Sequence, residues 1–282
     1  MILIADSGST KTDWRLIAPD GSVAQAKTVG FNPYYQSTED IFSSLEGSLL
    51  PQLDGKKPVG IFFYGAGCGD EAKRKIVADA LLQAFPESAV TVQHDLIAAA
   101  RALCGHEPGI ACILGTGSNS CLYDGKEIVQ NIPPLGFILG DEGSGAYLGK
   151  RIIQAFLRQE LPEDLQENFA KRYKVTKEDI LDRVYAQPFP NRYMATFAKY
   201  LFDKRRHPAI YPLIHQSFTD FFDKSVCRYP GYRELSVHFV GSIAFYFGDI
   251  LRQIARERQI RVQHILESPI AGLTLYHQEK LL

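Results

Sequence analysis

The feature that most constrains this chain is a repeat. Residues 2–6, Ile-Leu-Ile-Ala-Asp, form an apolar run ending in a carboxylate and predict a buried strand. A polar turn carrying Gly8 follows, then a strand over 12–18, a Pro19-Asp20-Gly21-Ser22 turn and a strand over 23–29. The same order returns mid-chain: a strand over 109–114, a turn Gly115-Thr116-Gly117-Ser118, a strand over 119–123, a turn Asp124-Gly125-Lys126 and a strand over 127–132. A recurring unit of this size predicts a duplicated βββ-α core and therefore two domains. The segment Cys104-Gly105-His106-Glu107-Pro108-Gly109 has the composition of a boundary, and 282 residues let each half bury a core of its own.

The rest of each half reads as alternating elements. A helix is predicted over 38–50, capped by Ser37 or Thr38, with an apolar stripe at Ile41, Leu45 and Leu49. A strand over 59–64, a helix over 71–85, a strand over 89–93 and a short helix over 96–103 follow. After residue 132 the chain is mainly helical, with helices expected over 145–157, 161–173, 176–186, 193–205 and 209–227. A strand over 235–240, a helix over 245–258, a short strand over 264–266 and a helix over 272–281 complete it.

Charge and cysteine use narrow the classes. With 31 basic and 32 acidic residues the net charge is -1, so no global field draws nucleic acid or an anionic membrane. The opening apolar run is too short for a secretory signal, and no window approaches ~18 uncharged apolar residues; a cytoplasmic protein is expected. Five scattered cysteines argue against a disulfide framework and lack zinc-finger spacing. Cys112 and Cys121 are expected opposite each other across the 115–118 turn.

Five stretches carry candidate chemistry. In Asp6-Ser7-Gly8-Ser9-Thr10-Lys11-Thr12, between two strands, Gly8 is free to take positive φ and successive N–H groups make an anion-binding concavity. Ser9, Thr10 and Thr12 add hydroxyls, Lys11 a cation, and Asp6 a carboxylate suited to hydrated Mg²⁺. It is not a Walker loop, because the first glycine of that motif is absent. Gly115-Thr116-Gly117-Ser118-Asn119 repeats the arrangement, so each half offers one phosphate-binding turn. Gly140-Asp141-Glu142-Gly143-Ser144-Gly145 places two acids on bare backbone ahead of a helix; an ordinary helix N-terminus explains Glu142 but not the glycines. Asp95, at the carboxyl end of a strand, is either an N-cap or a base facing the ligand crevice of an α/β sheet. Gly241-Ser242-Ile243-Ala244 is a small-residue turn that suits either a flat base or close helix–strand packing.

Together these residues resemble the BadF/BadG/BcrA/BcrD ATPase family, and within it the N-acetylglucosamine kinases. The matching strings are residues 6–12, Asn32, Gly65-Ala66-Gly67, Asp95, Gly115–Asn119, Gly140–Ser144 and Gly241–Ala244. The resemblance implies an α/β, ribonuclease-H-like fold of the actin/hexokinase (ASKHA) type, with two βββαβαβα domains and a cleft between them. The implied domains are 1–108, joined by a C-terminal helix over about 269–282, and 109–268 with a helical insertion. It implies phosphotransfer from ATP to N-acetylglucosamine or a related amino sugar, with Mg²⁺. Ser7, Gly8, Ser9, Thr10, Lys11, Gly115, Thr116 and Gly117 would bind ATP phosphates. Ala195, Gly241, Ser242 and Gly272 would line the adenosine site. Asn32, Asp95, Ser118, Asn119, Gly136 and Asp141 would face the sugar, with Asp95 as base, and Asp6 would organise the metal. A homodimer is implied, with no nucleic acid or membrane partner.

Where the family's kinases often carry Gly-Gly-Trp-Gly, this chain has Pro133-Pro134-Leu135-Gly136, so one pocket wall differs. Two alternatives remain open. Gly67-Cys68-Gly69-Asp70-Glu71-Ala72 loosely fits a dinucleotide fingerprint, with Asp95 placed as the ribose acid of an NAD-dependent oxidoreductase. The other is a non-kinase ATPase of the same family that activates 2-hydroxyacyl-CoA dehydratases through an iron–sulfur cluster.

Overall fold

The computed structural model describes residues 1–8 and 11–279. The chain divides into two compact units. The first comprises Met1–Glu107, Gly125–Glu127 and the segment from Ser268; the second comprises Pro108–Asp124 and Ile128–Glu267.

In the first unit, β1 (Ile2–Ser7), β2 (Lys11–Ile17) and β3 (Val23–Val29) form an antiparallel meander. The segment Thr38–Leu53 then covers one side of the sheet. Its helix α1 (Thr38–Ser44) starts at a capping box, with Ser37 accepting from the Asp40 N–H and Asp40 from the Ser37 N–H. The single helix expected over 38–50 is interrupted. Leu45–Leu49 widens into a π-helical turn before α2 (Leu50–Leu53), because Pro51 has no N–H to give the Gly47 carbonyl. The apolar stripe survives the change: Ile41, Leu45, Leu49 and Leu53 are all buried. They join Trp14, Phe31 and Phe63 in one core, with the Trp14 indole N–H donating to Thr28 Oγ1 at 3.0 Å.

Next come β4 (Gly60–Gly65), α3 (Glu71–Ala84), β5 (Ala89–His94) and α4 (Asp95–Cys104). Strand β4 runs parallel to β1 and β5 parallel to β4, giving the order β3-β2-β1-β4-β5.

The second unit repeats this plan. Strands β6 (Gly109–Leu114), β7 (Ser118–Tyr123) and β8 (Ile128–Asn131) form the meander. The helices α5 (Gly136–Leu139), α6 (Gly145–Leu157), α7 (Glu163–Tyr173), α8 (Lys177–Tyr185), α9 (Pro190–Ala195), α10 (Ala198–Asp203) and α11 (Tyr211–Lys224) intervene. Then β9 (Ser236–Val240), α12 (Ser242–Tyr246), α13 (Gly248–Glu257) and β10 (Arg261–Leu266) complete the order β8-β7-β6-β9-β10, the same as in the first unit. The last helix, α14 (Ile270–Gln278), returns to the first unit. It packs on α4, where Tyr64 Oη meets His277 Nε2 at 2.8 Å and receives an N–H from Arg101 at 2.8 Å.

Three further expectations change. The helix expected over 193–205 is α9 plus α10, broken at Thr196, whose hydroxyl donates back to the Tyr193 carbonyl. The helix expected over 245–258 is α12 plus α13, hinged at the buried Phe247. Cys112 faces Ser120, and Cys121 faces Ala111. The turn is the three residues 115–117, closed by the Gly115 N–H on the Gly117 carbonyl at 3.0 Å, so the register falls one residue short of the expected one. Among the described residues no helix is long and apolar enough to cross a membrane.

Candidate functional site

The first unit gathers its candidate residues where its parallel strands end. In register, Ser7 of β1 sits beside Gly65 of β4, and Gly65 beside His94 of β5. Asp6 therefore lies one residue inside this row, and Asp95 one residue beyond it. The carboxyl edge of a parallel sheet is the usual ligand-binding edge of an α/β domain.

The opening turn is held from behind by its own hydroxyls. Buried Ser7 and Thr12 share a hydrogen bond of 2.7 Å; Ser7 Oγ also accepts the Phe31 N–H at 3.0 Å, and Thr12 donates to the Val29 carbonyl at 3.0 Å. These two hydroxyls thus shape the turn. The Gly8 N–H donates to the Lys11 carbonyl at 3.0 Å. Contrary to the expectation of positive φ, Gly8 avoids the left-handed region, and an added Cβ would meet only Lys11 O at 3.7 Å. Ser9 and Thr10 lie outside the described residues. Lys11 pairs with the buried Asp13 at 2.9 Å.

Asp6 stands among like charges. Burial first, then Asp13 and Asp95, lift its pKa from 3.8 to about 7, opposed by a hydrogen bond from Ser268 Oγ at 3.3 Å and by the Lys11 ammonium. Asp13 and Ser268 belong to the site but were not singled out from the sequence. Asp13 lies just past the motif, and no local pattern marks Ser268.

Asp95 is the first helical residue of α4, not its N-cap, which is His94. Its carboxylate is partly buried; burial lifts its pKa from 3.8 to about 6, against the pull of the Leu96 and Asp95 N–H groups. Asn32 closes the site's flank. Its Oδ1 accepts the Tyr34 N–H at 3.0 Å, which leaves the carboxamide NH₂ as its donor. Gly67, at φ +82°, lies so close that an added Cβ would stand 2.6 Å from Asn32 Oδ1. That approach accounts for Gly67, while a Cβ on Gly65 would stand 2.6 Å from the Phe63 ring. Gly272 has a similar explanation: it lies on α14, where a Cβ would stand 2.2 Å from Ala102 O of α4.

The dinucleotide reading of residues 67–72 conflicts with this arrangement. The N-terminus of α3, where a pyrophosphate would sit, is capped by the Asp70 carboxylate on the Lys73 N–H at 2.8 Å. The meander β1-β2-β3 is also antiparallel, unlike a doubly wound sheet.

In the second unit the 115–117 turn is packed from three sides. The Gly145 and Ala146 N–H groups, from the start of α6, donate to the Gly115 and Thr116 carbonyls at 2.8 and 3.0 Å. Gly241, at φ +117°, lies where a Cβ would be 2.3 Å from Leu114 O, and so brings Ser242 at the start of α12 alongside. A Cβ on Gly145 would meet Ala195 Cβ at 3.2 Å and Gly115 O at 3.3 Å. Gly115, Ala195, Gly241 and Ser242 thus come together around one turn.

Asp141 completes this half. It is a non-glycine residue at φ +57°, a strained conformation. That conformation lets its Oδ1 accept the Ser118 N–H at 3.3 Å and sets Oδ2 3.0 Å from where a Gly117 Cβ would be. Burial raises its pKa, against the pull of that N–H. The Asn119 Oδ1 is engaged within its own unit, accepting from the Asn131 NH₂ at 3.0 Å and from the Ser120 N–H at 2.9 Å. Gly136 begins α5 at φ +72°, exposed.

Two meanders of matched strand order, each with a glycine-bearing turn, place this molecule in a class: the two-domain actin-like ATPases built on the ribonuclease-H-like sheet. Within that class, the model of the BadF/BadG/BcrA/BcrD ATPase family matches residues 5–211, and the chain belongs to this family. Among solved structures, the chain is similar to one described as the "Putative N-acetylglucosamine Kinase" of Porphyromonas gingivalis, at 44% identity and TM-score 0.94 over 100% of both chains. A second so described, from Chromobacterium violaceum, matches at 21% identity and TM-score 0.77 over 98% of each chain. The ethanolamine utilization protein EutJ of Carboxydothermus hydrogenoformans matches at 16% and 0.56, over 97% of this chain and 89% of that one. At those two lower identities the likeness is one of fold. No curated protein matches the chain.

Proposed function

We propose that this chain is a kinase transferring the γ-phosphate of ATP to a hydroxyl of N-acetylglucosamine or a close amino-sugar relative. The observation that carries the reading is Asp95: a partly buried carboxylate at the ligand edge of a parallel sheet, with its pKa raised to about 6. Such a group is mostly ionised at neutral pH and still basic enough to accept a hydroxyl proton. Family membership and the 44%-identical relative support the same chemistry.

In this reading Asp95 takes the proton as the sugar oxygen attacks phosphorus in line. The Asn32 NH₂ donates to the sugar, and Asp141 accepts from its hydroxyls, with Ser118, Asn119 and Gly136 as further contacts. Gly8, Lys11 and the 115–117 turn bind the phosphates; Ala195, Gly241 and Ser242 line the adenosine. Asp6 suits Mg²⁺: it is partly buried beside two carboxylates whose repulsion a cation relieves, a fit for a hydrated ion held by one side chain and the phosphates. When bound, Mg²⁺ supplies charge neutralisation on the phosphates.

A coupled ADP-release screen over glucose, glucosamine, N-acetylglucosamine and N-acetylmannosamine tests this. An amino sugar should raise ADP release well above the sugar-free rate. Equal rates with and without every sugar would refute the reading.

A further inference from the structure

Glu142 is the acid of the 140–145 string that the proposed chemistry leaves unused. A place in the first turn of a helix does not explain it. Helix α6 starts at Gly145 behind its N-cap, Ser144, which accepts the Tyr147 N–H at 3.1 Å, and its first turn holds no acid. Glu142 stands two residues before that cap, between two left-handed residues, Asp141 at φ +57° and Gly143 at φ +76°. The Ser144 N–H closes this turn on the Asp141 carbonyl at 3.0 Å.

The turn leans on α11. Lys224, the last residue of that helix, reaches Glu142 Oε1 at 2.8 Å. The acid is the withdrawn partner, its side chain 17% exposed against 59% for the lysine. The Lys150 charge also reaches Glu142, but that ammonium donates to the Phe137 carbonyl at 3.0 Å. The bond to Glu142 raises the Lys224 pKa, which keeps the lysine charged. Phe221 of α11 packs against Gly143, where a Cβ would stand 3.0 Å from Phe221 Cβ. Asp220 accepts the Tyr147 hydroxyl at 2.9 Å and so ties α11 to α6. The turn is thus gripped at Glu142, Gly143 and Ser144, while Asp141 carries the strained backbone. A left-handed non-glycine residue persists only where its surroundings over-determine it.

We infer that Glu142 and Lys224 are positioning residues, whose ion pair holds the turn in the form that aims the Asp141 carboxylate at the Ser118 N–H and at the sugar. The link to the sugar rests on the amino-sugar kinase reading above; the link to Ser118 rests on the fold alone. An exposed ion pair does little for a whole domain, but this one acts on a turn of four residues. Without Lys224, Glu142 is a half-withdrawn charge that regains water only by turning outward. The turn follows it, and Asp141 leaves Ser118.

The test compares Lys224→Met, Lys224→Arg and Asp141→Asn with wild type. Amide exchange in the ligand-free protein is followed by NMR. In Lys224→Met the Ser118 amide should exchange several-fold faster while Ile110 and Phe239 of the same sheet keep their rates, and Lys224→Arg should restore Ser118. Affinity for N-acetylglucosamine, by calorimetry, should weaken about threefold to tenfold in Lys224→Met, with KM for ATP unchanged. Adding Lys224→Met to Asp141→Asn should change that affinity less than about twofold, because both act through one carboxylate. Unchanged Ser118 exchange, or an acceleration shared by the whole sheet, would overturn the proposal, as would full additivity in the double variant. Faster Ser118 exchange with unaltered sugar affinity would overturn the link to the sugar. If wild type binds no amino sugar, the kinase reading falls, and Ser118 exchange still decides whether Lys224 positions Asp141.

Discussion

Replacing Asp95 with asparagine should make the ligand-free protein more stable while removing its activity. The folded environment raises this carboxyl's pKa from 3.8 to about 6, chiefly by burial. The sign follows from proton binding. Below 3.8 the group is protonated in both folded and unfolded chains, and its burial costs nothing extra. As pH rises through 6 the folded state must accommodate a desolvated charge, and the penalty is complete above about pH 7. Its ceiling is about 3 kcal/mol, from ~1.36 kcal/mol per pH unit of pKa difference. Asparagine keeps an oxygen for the Leu96 N–H but has no proton to lose. The variant's advantage should therefore reach at most about 3 kcal/mol at pH 8, with over ~1 kcal/mol of it developing between pH 5 and pH 8. Urea unfolding of both proteins at several pH values measures this. In the same preparations, wild-type kcat/KM should fall about tenfold per pH unit below 6, and the variant should be nearly inactive. A variant that is less stable at pH 8, or whose advantage ignores pH, would refute the argument that Asp95 is held charged against its surroundings.

Other outcomes follow from the same geometry. Asp6→Asn should raise the Mg²⁺ concentration for half-maximal rate by about tenfold or more, read from a metal titration at fixed ATP. Asn32→Ala removes a donor proposed for the sugar alone, so KM for sugar should rise about tenfold with KM for ATP unchanged in steady-state kinetics. Gly241→Ala places a Cβ 2.3 Å from Leu114 O at φ +117°. It should destabilise the protein by ~2–5 kcal/mol through strain and overpacking, seen as a lowered melting temperature.

The sequence revealed most where structure is local. The meanders were readable because Asp20-Gly21 and Asp124-Gly125 punctuate alternating apolar runs, and the repeat followed from them. A cap at Ser37 or Thr38 and the stripe at Ile41, Leu45 and Leu49 were equally readable, although only the structure settles the cap on Ser37, and Pro51 reshaped the helix that carries them. What stayed hidden depends on distant chain segments. Ser268 reaches Asp6 across most of the sequence. Gly272 answers to Ala102 on another helix, and Gly149 on α6 lies where a Cβ would be 1.8 Å from Met194 O of α9. No periodicity records such approaches, so these glycines looked like either ligand contacts or nothing. Asp141's left-handed backbone was invisible for the same reason: the fold imposes it against the residue's own preference.

The most direct test of the central claim is phosphorus NMR of the full chain with Mg²⁺, ATP and N-acetylglucosamine, repeated with Asp95→Asn. A growing sugar phosphomonoester signal that matches the loss of the ATP γ-resonance, and is absent in the variant, is the predicted result. ATP consumed only to ADP and inorganic phosphate, at a rate indifferent to sugar and to Asp95, would contradict it.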